Sequence, residues 1–192
     1  MSTMKLAIFV TGGGTNCENI IRYFMLRPWV EISVVVSSRA DAYAIVRAER
    51  LGVPTTVITR HELEEEPRLV MNAVKGCDYI ILAGFLPKIP PYLIHRFPKR
   101  IINIHPALLP KFGGKGMWGH HVHEAVKAAG ETQSGITIHF VNENLDEGEH
   151  IAQFATPIAP DDTPDDIAEK VHALEMAHFP QVIEAVIKGN IV

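Results

Sequence analysis

The chain predicts an α/β fold: a mostly parallel twisted sheet, antiparallel strands in the C-terminal half, and helices on both faces. Two observations predict it. Short continuous apolar runs alternate with helix-spaced stretches through the first half, the texture of buried parallel strands joined by crossovers. Beyond residue 102 the pattern changes to period-two alternation followed by a well-capped helical stretch, the texture of half-buried antiparallel strands and a final helix.

Each element has its own signal. Leu6-Ala7-Ile8-Phe9-Val10 is a buried-strand run that enters Thr11-Gly12-Gly13-Gly14-Thr15-Asn16. Ile20, Ile21, Phe24 and Met25 then recur at helical spacing. Ile32–Val36 is a second strand, and Ala42–Leu51 a second helix that stops near Gly52. Thr55–Ile58 and Tyr79–Leu82 are further strands, with an acidic helix from about Glu62 to Val74 between them. Strand–helix–strand repeats of this kind imply right-handed crossovers in one parallel sheet. Ile101-Ile102 leads another strand that Pro106 terminates by removing a backbone donor. Lys111–Gly119 is a glycine-rich loop, and His121–Ala129 is helical. Gly135–Val141 alternates as a strand, with Ile151–Pro157 as its pairing partner. Thr163-Pro164-Asp165-Asp166 combines a cap, a first-turn proline and acids at the positive dipole end. Pro180 should kink or interrupt that last helix, and Gly189 should stop it.

The chain has 192 residues, 47% of them hydrophobic and 21% charged. That suits one well-cored domain over 1–192 rather than two ordinary ones. A formal net charge of -4 argues against a dedicated nucleic-acid surface. Cys17 and Cys77 are the only cysteines, which excludes a disulfide framework or thiolate zinc set. The start lacks a signal-peptide layout, and no apolar stretch approaches the ~20 residues of a membrane span. The expectation is a cytoplasmic protein with no membrane partner.

Chemistry concentrates at Asn103-Ile104-His105-Pro106, followed by Leu108-Leu109-Pro110-Lys111. Residues i and i+2 of a strand project to one side, so an amide and an imidazole converge at a strand tip. Ligands gather at such tips in open α/β sheets. A strand end with two locally satisfied polar residues is the plainer reading of the same residues. The glycine loop offers close backbone approach and a helix N-terminus to an anion, with Thr15 and Asn16 as added donors. It fits neither the Walker nor the dinucleotide pattern, since no Gly-Lys-Ser/Thr follows and Cys17 stands in for the third glycine. A single phosphomonoester suits it better, with a tight structural turn as the alternative; Asp41 only weakly imitates a ribose acid.

Leu145-Asp146-Glu147-Gly148 is a turn whose acid can reach another strand tip and hold His105, although taken alone it reads first as a plain turn former. His120, His121 and His123 lack a third-ligand pattern and read as a solvated helix start, so no metal is expected. Thr137 and His139 share one side of their strand. Glu175 reads as an ordinary half-exposed carboxylate.

Together these residues resemble the formyltransferases that use 10-formyltetrahydrofolate, and within them the branch acting on glycinamide ribonucleotide. The resemblance runs through Thr11–Asn16, Ser38–Ala42, Leu82–Phe85, Asn103–Pro110, Gly135–Val141, Leu145–Gly148 and Glu175–Pro180. It implies a Rossmann-like domain whose N-terminal half takes the ribonucleotide phosphate and whose C-terminal half is catalytic and folate-binding. It implies His105 as general acid, Asn103 holding the formyl oxygen beside the cofactor, and Asp146 keeping His105 charged. It further implies Gly14, Thr15 and Asn16 around the substrate phosphate and Glu175 near the ribonucleotide. Leu86, Pro87, Lys88 and Ile89 correspond to the folate-pocket lining, and Thr137 and His139 to support of the catalytic corner. The implied co-substrate is 10-formyltetrahydrofolate, with no metal and only small-molecule partners, acting as a monomer or homodimer. Pro87-Lys88 departs from the commonest folate segment, and Gly113–Gly119 is longer and richer in glycine than the usual loop. Deformylases and methionyl-tRNA formyltransferases are rivals that normally carry an extra domain; a non-catalytic phosphate-binding module is a rival of another class.

Overall fold

Leu6, Ala7, Ile8, Phe9 and Val10 are all fully buried, so the first strand is covered on both faces, as a central parallel strand must be. The computed structural model describes residues 3–190. Two compact units meet in sequence between Asn103 and Ile104. The first contains β1 (Met4–Val10), α1 (Thr15–Met25), β2 (Val30–Ser37), α2 (Tyr43–Arg50), β3 (Thr55–Val57), α3 (Arg60–Glu65), α4 (Pro67–Ala73), β4 (Tyr79–Leu82) and α5 (Pro91–Arg96). β5 (Ile101–His105) carries the boundary; the second unit adds α6 (His120–Ala128), β6 (Gln133–Phe140), β7 (His150–Pro157) and α7 (Pro164–Ile187).

Strand order is β3-β2-β1-β4-β5-β6-β7. Pairings β1·β2, β1·β4, β2·β3 and β4·β5 are parallel, and β6·β7 is antiparallel. The expected α/β class and its C-terminal antiparallel strands are therefore found. β2 lies on one side of β1 and β4 on the other, so the order reverses at the carboxyl end of β1, where the glycine loop begins. That reversal opens a crevice in doubly wound sheets.

Local differences from the sequence expectation have physical causes. Cys17, Ile20, Ile21 and Phe24 form the buried stripe of α1, whereas Met25 is 62% exposed because it lies one position past that stripe. The acidic helix is two helices. Glu66 leaves helical geometry at φ -118, ψ 62, as the residue before Pro67 tends to do. α5, opened by Pro91, had no periodic signal of its own. α7 runs uninterrupted through Pro180: burial of Phe179, Pro180, Val182 and Ile183 outweighs the one missing donor.

Gly14 is the N-cap of α1 at φ 76, in the left-handed region. A Cβ there would stand 2.4 Å from Ala44 Cβ and 2.6 Å from Ala44 Cα on α2. Both conditions demand glycine. Burial pushes the Cys17 thiol up to about 12, so it is an inert core group. Gly14→Ala should destabilise the chain by about 1–3 kcal/mol, read from the urea midpoint at constant m-value. An unchanged midpoint contradicts the packing of α1 on α2 through this residue.

Candidate functional site

His105 ends β5 and is 4% exposed. Its Nε2 lies 2.7 Å from the carbonyl oxygen of Phe112. A carbonyl only accepts, so Nε2 carries a hydrogen and donates it there. Its Nδ1 faces Asp146 Oδ2 at 3.6 Å. Asp146 Oδ1 in turn lies 3.8 Å from His139 Nε2, and Oδ2 accepts from the Gly114 N–H at 2.9 Å. One carboxylate is thus flanked by two imidazoles and a main-chain donor.

The sequence folds this way because the acidic turn closes tightly on β6. Phe140 N–H donates to Glu149 C=O, and Asn142 Nδ2 donates to Glu147 C=O. A Cβ on Gly148 would fall 1.6 Å from the Phe140 oxygen, so only glycine lets the turn lie against the strand. Asp146 itself sits at φ 58, a left-handed conformation that Asp tolerates better than most residues. A Cβ on Gly113 would approach Asp146 Cβ to 3.3 Å, so the loop after Pro110 packs on the acid as well.

His139 Nδ1 donates to the Phe140 carbonyl at 2.9 Å, leaving Nε2 toward Asp146. Burial holds His139 below the usual histidine range. Thr137 uses its full hydroxyl capacity: it donates to Ala107 C=O at 2.7 Å and accepts from Leu109 N–H and Gln153 Nε2. Gln153 also donates to Leu109 C=O. The segment just past His105 is thereby stapled to β6 and β7. Gln153 escaped the sequence reading; its signal was its position opposite Thr137 once β6 and β7 are paired in register.

Asn103 stands two residues before His105 on β5, is half-buried, and pairs in register with Leu82. Glu175 on α7 accepts from His172 Nδ1 at 3.2 Å. His120 and His121 are exposed, as a solvated helix start requires. His123 corrects that reading: the phase of α6 turns it inward to 7% exposure, where it feels the charges of Glu175, His120 and His105. Its Nδ1 is buried without a hydrogen-bond partner. Among the described residues no group of three or more His, Cys, Asp or Glu side chains could hold a metal ion.

In the first unit, Thr11 and Ser38 hydroxyls share a buried hydrogen bond of 2.7 Å, and Leu86 N–H donates to Thr11 Oγ1. The carboxyl ends of β1, β2 and β4 are knitted together there. Gly12 and Gly13 have open space where a Cβ would stand. Glu18 N–H donates to Gly14 C=O as the first bond of α1, so the donors of the turn before it point out of the helix end. Thr15 is exposed and Asn16 half-buried. Asp41 is occupied by a bidentate contact from Arg39. Beyond β4, Leu86 exposes its side chain, Pro87 is half-buried, Lys88 is exposed and Ile89 is buried.

Residues 4–183 match the family model described as formyl transferase. The chain belongs to the formyl transferase family. Its relatives include a protein of Arabidopsis thaliana named phosphoribosylglycinamide formyltransferase, chloroplastic, 38% identical over 97% of this chain and 66% of that protein. The chain spans slightly less than two thirds of that plant relative, and 62% of its Vigna unguiculata counterpart. A Haemophilus influenzae phosphoribosylglycinamide formyltransferase is 32% identical over 97% of this chain and 89% of its own. The solved phosphoribosylglycinamide formyltransferase of Coxiella burnetii, in complex with CHES, superposes at TM-score 0.87. It is 35% identical, and the match covers 98% of this chain and 89% of that one. No helix among the described residues of this formyl transferase family member is long and apolar enough to cross a membrane.

The histidine cluster sets a pH dependence. The folded chain holds the His139 pKa below its ordinary value of 6.5, so between the two values the unfolded chain binds more protons. Stability is therefore full above about pH 6.5 and is lost as pH falls below it. His123, lowered by burial, acts in the same sense, and His172, raised by Glu175, in the opposite one. Urea midpoints of wild type and His139→Gln between pH 7.5 and 5.5 isolate the first contribution. The variant should lose less stability on acidification than wild type, and equal slopes contradict the assignment.

Proposed function

We propose that this chain transfers the formyl group of 10-formyltetrahydrofolate to the amine of glycinamide ribonucleotide in de novo purine biosynthesis. The observation that carries this reading is the buried His105 ring, aimed by Asp146 on one side and presenting an Nε2 hydrogen on the other. The names of the relatives point the same way.

The folate supplies a formyl group activated by its attachment to nitrogen. The residues of this chain do the rest. As the amine attacks, negative charge develops on the formyl oxygen, and the His105 Nε2 hydrogen and the Asn103 amide stabilise it. One such donor is commonly worth about 3 kcal/mol at the barrier. Asp146 orients the imidazole, and the Gly114 N–H orients Asp146. Thr137 and Gln153 fix the chain immediately after His105. His105 moves the proton that the folate nitrogen must gain on leaving, while the attacking amine loses one through the Asp146 side of the site. The glycine loop binds the ribonucleotide phosphate through main-chain donors, with Thr15 and Asn16 beside it, and Glu175 faces the ribonucleotide. Fixing the phosphate makes attack effectively intramolecular, which lowers the entropic barrier.

The exposed Leu86 side chain suits the flat apolar face of a pterin, with Pro87, Lys88 and Ile89 completing that segment. The N-terminal half is then the phosphate half and the C-terminal half the catalytic one, within a single formyltransferase domain. We assign the reaction to small-molecule substrates in a reducing, cytoplasmic setting, consistent with two free cysteines.

The deciding assay supplies 10-formyltetrahydrofolate with glycinamide ribonucleotide, water alone, or formyl-accepting tRNA. Formyl transfer to the ribonucleotide amine is expected, and its absence refutes the proposal. His105→Ala and Asn103→Ala should each lower kcat by about 100-fold to 1,000-fold with unchanged circular dichroism; full turnover in either sinks its assigned role. Gly13→Ala should raise KM for glycinamide ribonucleotide at unchanged melting temperature, because its Cβ occupies open space rather than protein. A change confined to the KM of the folate contradicts the phosphate assignment.

A further inference from the structure

Arg47, half-buried on α2, makes contacts to the glycine loop and α1 that the formyl-transfer chemistry leaves unused. Its Nε donates to the Gly13 carbonyl at 2.9 Å, and its Nη1 pairs with the Glu18 carboxylate. Glu18 also takes a two-pronged contact from Arg22, at 2.9 and 2.7 Å. These two guanidinium groups hold the Glu18 carboxyl below the usual carboxylate range, Arg47 contributing most. One turn earlier on α2, the Ala44 N–H donates to the Gly12 carbonyl at 3.1 Å.

The Gly12 and Gly13 carbonyls are therefore drawn toward residues of α2, while that of Gly14 opens α1. In a planar trans peptide the C=O of one residue and the N–H of the next point in opposite directions. Turning the Gly12 oxygen toward Ala44 turns the Gly13 N–H away from α2. Turning the Gly13 oxygen toward Arg47 does the same for the Gly14 N–H. The two amides then point to the side away from α2, next to the outward donors of the first turn of α1. Successive N–H groups aimed one way form an anion-binding concavity.

Glycine makes this orientation possible but does not enforce it. A glycine peptide flips readily, because no side chain restricts φ and ψ. Arg47 supplies the restraint at the second peptide, and its pairing with Glu18 fixes the guanidinium in turn. We propose that Arg47 is a positioning residue for substrate phosphate. It holds the Gly13–Gly14 peptide in the orientation that presents its N–H to the anion, without touching the anion itself. This rests on the reading of the glycine loop as the phosphate site.

The test uses the full chain with ribose 5-phosphate as a competitive probe alongside steady-state kinetics. Arg47→Met keeps the stem and removes both contacts. It should raise Ki for ribose 5-phosphate and KM for glycinamide ribonucleotide by about tenfold, equivalent to about 1.4 kcal/mol. At saturation kcat and the folate KM should stay within about twofold of wild type. Arg47→Lys keeps one donor and should show a smaller rise in the same two constants, which keeps the question answerable if the Met variant does not fold. A purely structural role moves kcat, both KM values and melting temperature together, and that pattern overturns the proposal. Unchanged Ki and KM in the folded variants overturn it too. Wild type that ignores ribose 5-phosphate defeats the phosphate reading itself, whereas a wild type that responds beside indifferent variants defeats only the role of Arg47.

Discussion

A carboxylate taken out of water must be repaid by donors and opposite charge, and Asp146 sets that demand on the second unit. Removing such a group from solvent without partners costs several kcal/mol, a large share of a domain's stability. Here the Gly114 N–H donates to the carboxylate at 2.9 Å, and the His105 ring stands beside it at 3.6 Å. Meeting the demand explains several otherwise arbitrary choices. Gly148 must lack a Cβ for the turn to close on Phe140, and a Cβ on Gly113 would stand 2.5 Å from Leu109 Cδ2 where its loop packs beside the acid. A left-handed φ at Asp146 is tolerated because the flanking contacts hold it. The rigidity that places the acid beside His105 is the same rigidity that keeps the burial affordable.

The hydroxyl of Thr137 does comparable work with fewer atoms. One donor and two acceptor positions meet Ala107, Leu109 and Gln153, so two main-chain groups in an irregular segment are satisfied by one side chain. Irregular backbone next to a strand tip has no ladder to satisfy it, and an unmet buried group costs roughly 1–3 kcal/mol. The chain beyond Pro106 can therefore leave the sheet without loosening His105. Stability and alignment of the His105 ring have a common origin here.

How much of this was readable in sequence depends on the range of the interaction. The strand that carries Asn103 and His105 is legible because an apolar run leads it and Pro106 ends it, and the Thr163 cap of α7 because its partners lie within one turn. The approach of Asp146 to His105 was not derivable from spacing, since it depends on where the turn after β6 folds back. Resemblance to a family supplied it as an expectation, and coordinates supplied the distance. Gln153 stayed hidden because its partner is set by the β6·β7 register. His123 was misplaced because three histidines so close together look uniformly polar, while the helix turns one inward. For Gly14 the sequence offers an anion site or a tight turn, yet Ala44 gives it a packing reason that no linear pattern carries.

The bond between His105 and Phe112 bears on how the proposed site would favour a transition state over a bound substrate. The Nε2 hydrogen already meets a carbonyl oxygen at 2.7 Å. On the proposed reading, a formyl oxygen that takes over this hydrogen exchanges one oxygen acceptor for another, and the ring has no new orientation to find. Such an exchange is nearly neutral for a ground-state carbonyl, because bonds of similar strength are lost and gained. It becomes favourable as the incoming oxygen acquires negative charge, since hydrogen bonds to charged acceptors are roughly twice as strong as neutral ones. On that reading the main-chain carbonyl sets a threshold that a neutral formyl group barely passes and an oxyanion passes easily. Discrimination between the two states is what accelerates a reaction, and tight binding of both is not.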